Sequence, residues 1–328
     1  YNVFFGRYAG RYATSAAHNV MIGANVAKCH TTGDCNIFIG NEAGSHASSS
    51  GGTGNNNIGL GCKALTALTS GADNVVLGQN AGSSMTTDSG HVLIGKEAGK
   101  LVVGGQYNTY IGHQAGMADT DGQSNVFIGC CIAHTFDGGS GNVLVGQNLG
   151  SALGTTEQIN TVMIGNANGR EVTSVGCMTF IGGQAGRNGT DHRNSIIMGF
   201  CAGYTVTGCT GGIDNIIMGT EAMKCNQTGS CNIILGSSAG KCITTGNHNI
   251  VMGRLSGQKI AAGQYNVIFG YGSGCEIAAG SNNIVMGNNA LTCASTGGGR
   301  IAIGYYAAEK ACGQNSVFIG TDAAKNVQ

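Results

Sequence analysis

The stretch Asn-Ile-Phe-Ile-Gly-Asn-Glu-Ala-Gly at residues 36–44 returns in modified form from one end of the chain to the other. Its central glycine recurs nineteen times, and fourteen of the eighteen spacings between successive copies are seventeen residues long. The other four spacings are 21, 19, 20 and 16 residues. A fixed period over a whole chain is typical of a solenoid, in which each repeat forms one coil. We therefore expect residues 1–328 to form a single all-β domain, a parallel β-solenoid (β-roll) of about 19 coils.

The amino-acid composition agrees with this architecture and argues against some classes of binding partner. The chain has 60 glycines and no proline, which excludes collagen, because the collagen triple helix needs proline in a three-residue period. The 16 basic and 16 acidic residues cancel, so no long-range field attracts nucleic acid. The sequence also lacks the run of about 18 apolar residues that a membrane-spanning helix requires. We expect neither a nucleic-acid partner nor a membrane span.

The residues before the central glycine predict a strand in every coil. With Asn36 as position 1 and Gly40 as position 5, position 2 is Val, Ile or Thr and position 4 is apolar in all copies. Alternate residues of a strand point to one side, so we predict that positions 2 and 4 fill the coil. Position 3 is apolar in nearly all copies as well, and continuous apolar runs are typical of strands that are buried on both faces.

We therefore predict that position 3 faces outward and forms an oligomer interface along the solenoid, since an exposed apolar stripe of this length exceeds what a soluble monomer tolerates. The predicted interface residues are Phe4, Met21, Phe38, Val76, Leu93, Tyr110, Phe127, Leu144, Met163, Phe180, Ile197, Ile217, Ile234, Val251, Ile268, Val285 and Phe318.

Position 1 is asparagine in most copies, and stacked corners would let each amide bond to the corners above and below it. We predict a structural ladder that is interrupted at the substitutes His91, Met178 and Arg300. The predicted ladder residues are Asn2, Asn19, Asn36, Asn57, Asn74, Asn108, Asn125, Asn142, Asn215, Asn232, Asn249, Asn266 and Asn283.

The four irregular spacings predict loops, because an added residue within a strand would turn every later side chain to the opposite face. These irregular segments, three longer than the period and the last one residue shorter, fall in residues 45–56, 149–160, 201–214 and 305–315. Insertions of a solenoid tend to share one face, which makes them candidate contact loops.

Fourteen cysteines are many for a cytosolic structural protein and favour an oxidising compartment. Cys225 and Cys242 share position 11 of successive coils, where stacking could bring them within disulfide reach. Cys29 with Cys35, and Cys225 with Cys231, instead combine positions 11 and 17 of one coil. Cys225 cannot satisfy both arrangements, and unpaired thiols remain a third alternative.

Asn188 and Asn226 begin sequons for N-glycosylation, which occurs in secreted proteins. Together with the cysteines, they predict an extracellular location or one at the surface of a virion or cell. The chain begins at Tyr1 rather than Met, which favours a processed product or a segment of a longer protein.

Motifs that could carry chemistry have a simpler explanation in the repeat. Gly236-Ser-Ser-Ala-Gly240 matches the nucleophile pattern around Ser238, but other copies place Glu, Asn or Gln there and no strand-to-helix context exists. Cys130 and Cys131 with His134, and Cys29-His30 with Cys35, contain metal-ligand residue types but no second ligand pair at a recognised spacing. We therefore favour disulfides or buried thiols over a metal.

Asp88, Asp119, Asp121 and Asp137 cluster in predicted turns. Turn solvation explains them, because calcium would require more oxygen ligands in a defined loop. We thus expect no catalytic residue, no cofactor and no metal site, and we interpret the chain as a protein that is not an enzyme.

The repeated Asn-Val/Ile-x-Ile/Met-Gly-x-x-Ala-Gly resembles the glycine-rich head repeats of trimeric autotransporter adhesins. It is still more similar to repeat regions of tail-fibre and other surface-fibre proteins of bacteriophages and algal viruses. The likeness covers nearly all of the chain. It implies a parallel β-roll, often trimeric, that displays or spaces a binding element.

Two main hypotheses follow. The first is a structural subunit of an extracellular or particle-surface fibre or filament, a homo-oligomer that assembles through the apolar stripe, as a trimer or as a filament. The second is an adhesin segment that binds a surface receptor or a glycan through the insertion loops. Ice binding is a third alternative, based on pairs such as Thr31-Thr32 and Thr244-Thr245, but Ala261-Ala262 breaks that row.

Overall fold

A computed structural model describes residues 1–46, 51–150, 160–172, 176–205, 211–292, 296–310 and 313–326. These residues contain nineteen β-strands and no helix. The strands are parallel and most follow one another at the 17-residue period, so the predicted all-β solenoid is confirmed. The chain divides into two compact units, Tyr1–Thr161 and Val162–Gln328.

In the first unit, each strand pairs with the next one along the chain, position for position, as in the pair Val20 with Ile37. The same register holds across the 21-residue spacing, where Ile37 pairs with Ile58, so the added residues lie outside the strands. The strands are β1 Val3–Phe5, β2 Val20–Ile22, β3 Ile37–Ile39, β4 Ile58–Leu60, β5 Val75–Leu77, β6 Val92–Ile94, β7 Thr109–Ile111, β8 Val126–Cys130 and β9 Val143–Gln147.

The second unit repeats this arrangement, and Ile196 pairs with Ile216 across the 20-residue spacing. Its strands are β10 Val162–Asn166, β11 Thr179–Gly183, β12 Ile196–Met198, β13 Ile216–Met218, β14 Ile233–Leu235, β15 Ile250–Met252, β16 Val267–Phe269, β17 Ile284–Met286, β18 Ile301–Ile303 and β19 Val317–Ile319. Residues 47–50, 151–159, 206–210 and 311–312, which belong to the four predicted insertion loops, lie outside the described residues.

The side chains of each strand point in the opposite directions to those predicted. Phe38 at position 3 is fully buried, whereas its neighbours Ile37 and Ile39 are 36% and 38% exposed. Position 3 is therefore the core of the coil, and its assignment to an oligomer interface was wrong. Only the first and last strands in sequence differ, since Phe4 is exposed and Phe318 is half-buried. The other predicted interface residues, all buried, are Met21, Phe38, Val76, Leu93, Tyr110, Phe127, Leu144, Met163, Phe180, Ile197, Ile217, Ile234, Val251, Ile268 and Val285.

The interior accepts these large side chains because the wall opposite the strand is built from small residues. A Cβ added to Gly44, at position 9, would lie 3.0 Å from the Phe38 ring. In the next coil the sizes are exchanged: Gly59 takes position 3 and the buried Leu65 takes position 9. Positions 3 and 9 therefore face each other, and in these two coils a large side chain at one position is matched by glycine at the other, as close packing favours.

The coil corner after the strand explains the recurrent glycine at position 5. Gly236 has a φ of +135°, a region that side chains with a Cβ rarely adopt. A Cβ at this residue would lie 2.7 Å from the carbonyl oxygen of Gly253 in the next coil. Both the backbone conformation and the close approach of successive coils therefore require glycine here.

Candidate functional site

The candidate site is the outer face, which we define as the side chains at positions 2 and 4 of β1–β19. No side chain of the outer face is buried and none is charged, and all are apolar except Thr109 and Thr179. Strand pairing places like positions side by side, as Ile22 beside Ile39. Its most exposed members are Val3, Phe5, Ile37, Ile39, Ile128, Ile164, Ile196, Ile216, Met218, Met252, Ile284, Met286, Val317 and Ile319.

The outer face of each unit is comparable in size to the largest apolar patch of a typical monomer. Strands about 4.8 Å apart make the nine strands of the first unit roughly 43 Å long, and three residues give a width of about 10 Å. The face thus has an area on the order of 400 Å² per unit, without a charged side chain, and apolar patches of this size are often functional.

The asparagine ladder holds the corner that precedes each strand. Asn249 is buried, and its Oδ1 accepts the backbone N–H of Asn266 at 3.1 Å. Its Nδ2 donates to the carbonyl of Gly263 in the same coil at 2.9 Å. Each amide therefore satisfies backbone groups of two coils at once, and the same inter-coil bond recurs at most of the predicted asparagines.

The prediction that His91 interrupts the ladder was wrong. The backbone N–H of His91 donates to Asn74 Oδ1 at 2.9 Å, and the imidazole stands in for the next amide. The ladder also continues at Arg300, because the backbone N–H of Arg300 donates to Asn283 Oδ1 at 3.1 Å. Its buried guanidinium donates to backbone carbonyls, including that of Thr296 at 2.8 Å.

The candidate disulfide residues Cys29, Cys35, Cys225, Cys231 and Cys242 are all free thiols in the structure. Stacking does bring the Sγ atoms of Cys225 and Cys242 to 3.8 Å, which is well beyond a sulfur–sulfur bond. The within-coil alternatives combine different environments: Cys29 is buried, whereas Cys35 and Cys231 are exposed.

Both predicted glycosylation sites are buried, so the prediction that they carry glycans was wrong for the folded chain. Asn226 is fully buried, and its Oδ1 accepts the backbone N–H of Gly229 at 2.8 Å. Asn188 is only 7% exposed. A bulky surface glycan requires an accessible side-chain amide.

Solvation does not explain two of the turn carboxylates, because Asp88 and Asp119 are buried. Asp119 accepts the hydroxyl hydrogen bond of Tyr110 and the backbone N–H of Gly122 at 3.0 Å. Burial raises the pKa of Asp119 to about 6, despite these donors. Its carboxylate also lies within 4.8 Å of those of Asp121 and Asp137.

Threonine hydroxyls at position 13 stabilise the stack instead of forming a free surface row. Thr69 Oγ1 donates to the carbonyl of Thr86 at 2.8 Å, and Thr244 Oγ1 donates to that of Ala261 at 2.9 Å. Engaged hydroxyls do not favour the ice-binding alternative.

One side-chain cluster was missed in the sequence. His113, Cys130 and Cys131 place one imidazole nitrogen and two sulfurs within 4.8 Å of one another. The sequence hypothesis had paired these cysteines with His134, which is close in sequence. The signal that would have found His113 is the period itself, because His113 and Cys130 are 17 residues apart.

An open pocket lies beside the first insertion loop, in the first unit. It combines amide, ammonium, carboxylate and hydroxyl groups. Its lining residues are Asn25, Lys28, Cys29, Glu42, Ser45 and His46.

Within the described residues, no helix is long and apolar enough to cross a bilayer. Comparison of the chain with protein-family profiles, curated proteins and solved structures finds no match.

Proposed function

We propose that this chain is a structural subunit of an extracellular or particle-surface fibre and that it assembles with copies of itself through the outer face. The observation that carries the proposal is the uncharged double row of apolar side chains at positions 2 and 4. The resemblance of the repeat to surface-fibre proteins supports the same function.

A second copy of the chain is the partner that fits this surface best. The rows repeat at the strand spacing of about 4.8 Å, so only a surface with that same spacing can interdigitate with them over many strands. The outer face of one unit, covered by the same face of a second copy, would bury on the order of 800 Å² in total, and one such contact for each unit would together reach the standard size of a stable interface, about 1,600 Å². The lack of charge on the face disfavours nucleic acid and other polyanions.

Sedimentation velocity tests this assembly. Carboxylates introduced by Ile39→Asp and Ile128→Asp would lie in the interface, where an unpaired charge is costly to bury. We expect the native chain to form oligomers and the double variant to sediment as a folded monomer. A monomeric native chain at micromolar concentration would overturn the proposal.

Leu101→Asp is the matched control. Leu101 is 42% exposed and Ile128 is 37% exposed, but Leu101 lies outside the outer face. This variant should assemble like the native chain. If it dissociates as fully as the double variant does, added charge and not the outer face controls assembly. If the outer face controls assembly, electron microscopy of the native material should show laterally packed copies.

An adhesin segment is the second candidate, and the pocket beside the first insertion loop favours it. Its Lys28, Glu42 and His46 offer the charged and hydrogen-bonding groups that recognise a polar ligand such as a glycan. A glycan array probed with the native chain tests this candidate. Binding that Lys28→Ala abolishes and that Lys96→Ala, at an exposed lysine outside the pocket, preserves would support it, and no bound glycan would argue against it.

A further inference from the structure

The cluster of His113, Cys130 and Cys131 lies at the end of β8, away from the core. His113 and Cys130 both occupy position 6, in successive coils of the first unit. The backbone N–H of Cys131 donates to the carbonyl of His113 at 2.9 Å, which fixes the register between the two coils at this point. The three side chains thus extend from one hydrogen-bonded scaffold, which positions ligands better than a free loop does.

The backbone also explains why two adjacent cysteines point the same way. Successive side chains of a regular strand point to opposite faces. Cys131 instead has a φ of +54°, and this left-handed residue ends the alternation just after Cys130. The two Sγ atoms consequently lie 3.0 Å apart.

Two sulfurs and one imidazole are ligands that Zn²⁺ prefers. Zn–S bonds of about 2.3 Å and Zn–N bonds of about 2.0 Å place tetrahedral ligands roughly 3.5–3.8 Å from one another. The sulfur pair at 3.0 Å is slightly closer than this, and all three atoms lie within 4.8 Å of one another. Small side-chain rotations therefore suffice to create the geometry, and the half-buried thiols and exposed imidazole leave a path for the ion.

We propose that His113, Cys130 and Cys131 form a Zn²⁺ site whose fourth position is open to solvent. Binding displaces the thiol protons, so that two thiolates and the neutral imidazole hold the ion. The bound ion joins two successive coils through side chains, in addition to their backbone hydrogen bonds. A second close thiol pair among the described residues differs: Cys225 and Cys242 lie beside Lys224 and Lys241, whose positive charges oppose a bound cation.

Anaerobic titration of the whole chain with Co²⁺, an optical substitute for Zn²⁺, tests the site. We expect one strongly bound equivalent with thiolate-to-cobalt charge-transfer absorption and the visible bands of a tetrahedral ion, both removed by added Zn²⁺. Cys130→Ser with Cys131→Ser should abolish these bands. The control Cys225→Ser with Cys242→Ser should leave them unchanged.

A third variant, His113→Ala, tests the imidazole without removing a thiol. It should keep the charge-transfer absorption while weakening Co²⁺ binding on the order of 10- to 100-fold or more, as even loss of an indirect ligand partner does. Circular dichroism checks that each variant is folded. If the double serine variant does not fold, the weaker Co²⁺ binding of His113→Ala is the result that tests the site. Absent bands, or bands that persist without Cys130 and Cys131, would overturn the proposal.

Discussion

The imidazole of His91 accepts the backbone N–H of Asn108 through Nδ1 at 3.3 Å, the bond that an asparagine Oδ1 makes at other corners. Its Nε2 lies 3.0 Å from the carbonyl oxygen of Gly105, the position that an asparagine Nδ2 contacts in its own coil. This pair of bonds requires a neutral ring with its proton on Nε2. Burial accordingly lowers the pKa of His91, although the bond to Gly105 acts in the opposite direction.

His91→Asn should reduce the loss of stability in acid. Because the pKa of His91 is lower in the folded chain than in the unfolded chain, its contribution is complete above about pH 6.5 and is lost as the pH falls towards the folded value. Asparagine makes the same ladder bonds and does not titrate. Urea unfolding between pH 7.5 and 5 should show a smaller decline for the variant, by up to about 1.4 kcal/mol per pH unit. If the free energy of unfolding falls equally with pH in the native chain and the variant, this interpretation is contradicted.

Asp119→Asn should stabilise the chain at neutral pH. Burial raises the pKa of Asp119 to about 6, so its carboxylate costs stability as the pH rises from the unfolded value near 3.9 to 6. The neutral amide removes that cost, which is up to about 3 kcal/mol at pH 7, and the gain should vanish near pH 4. Urea unfolding measures the gain in the free energy of unfolding at pH 7 and at pH 4. The exposed Asp73→Asn, outside this carboxylate cluster, is the control, and an equal gain there would argue against burial as the cause.

The period and the strand positions could be predicted from the sequence, but the direction of the side chains could not be read from the strands alone. A three-residue strand such as Ile37–Ile39 is apolar throughout, so hydrophobicity does not distinguish its two faces. The exchange of sizes between Gly59 and Leu65 carried the missing information, because only residues that face each other need to compensate in volume.

The candidate metal site could be predicted only in part. Cys130 and Cys131 are ligand types, but the histidine nearest to them along the sequence is His134. In a solenoid, spatial neighbours lie one period away, so His113 becomes visible only once the coil register is fixed. The left-handed conformation of Cys131, which brings the sulfurs together, recurs at the same coil position in residues such as Glu97 and Gln114, so it follows from the coil and not from the residue type.

Gly236→Ala should destabilise the chain more than Gly104→Ala does. Both glycines have positive φ, +135° and +106°, so alanine adds backbone strain of about 1–3 kcal/mol at each position. Only at Gly236 would the added Cβ also meet a carbonyl of the next coil, while nothing lies within 4 Å at Gly104. Thermal and urea unfolding compare the two variants. Equal losses would show that strain alone, and not the close approach of coils, requires the glycine.

Phe127→Asp and Ile128→Asp separate the core from the outer face with adjacent residues of β8. Phe127 is fully buried and stacks on Tyr110 with ring centroids 4.7 Å apart, whereas Ile128 is 37% exposed. Phe127→Asp should cost at least the about 3–5 kcal/mol of a truncated core phenylalanine, because it also buries an unpaired carboxylate. Ile128→Asp should change stability by about 1 kcal/mol or less but weaken self-association. Urea unfolding and sedimentation velocity provide the two measurements, and a stable Phe127→Asp variant would contradict the inward direction of position 3.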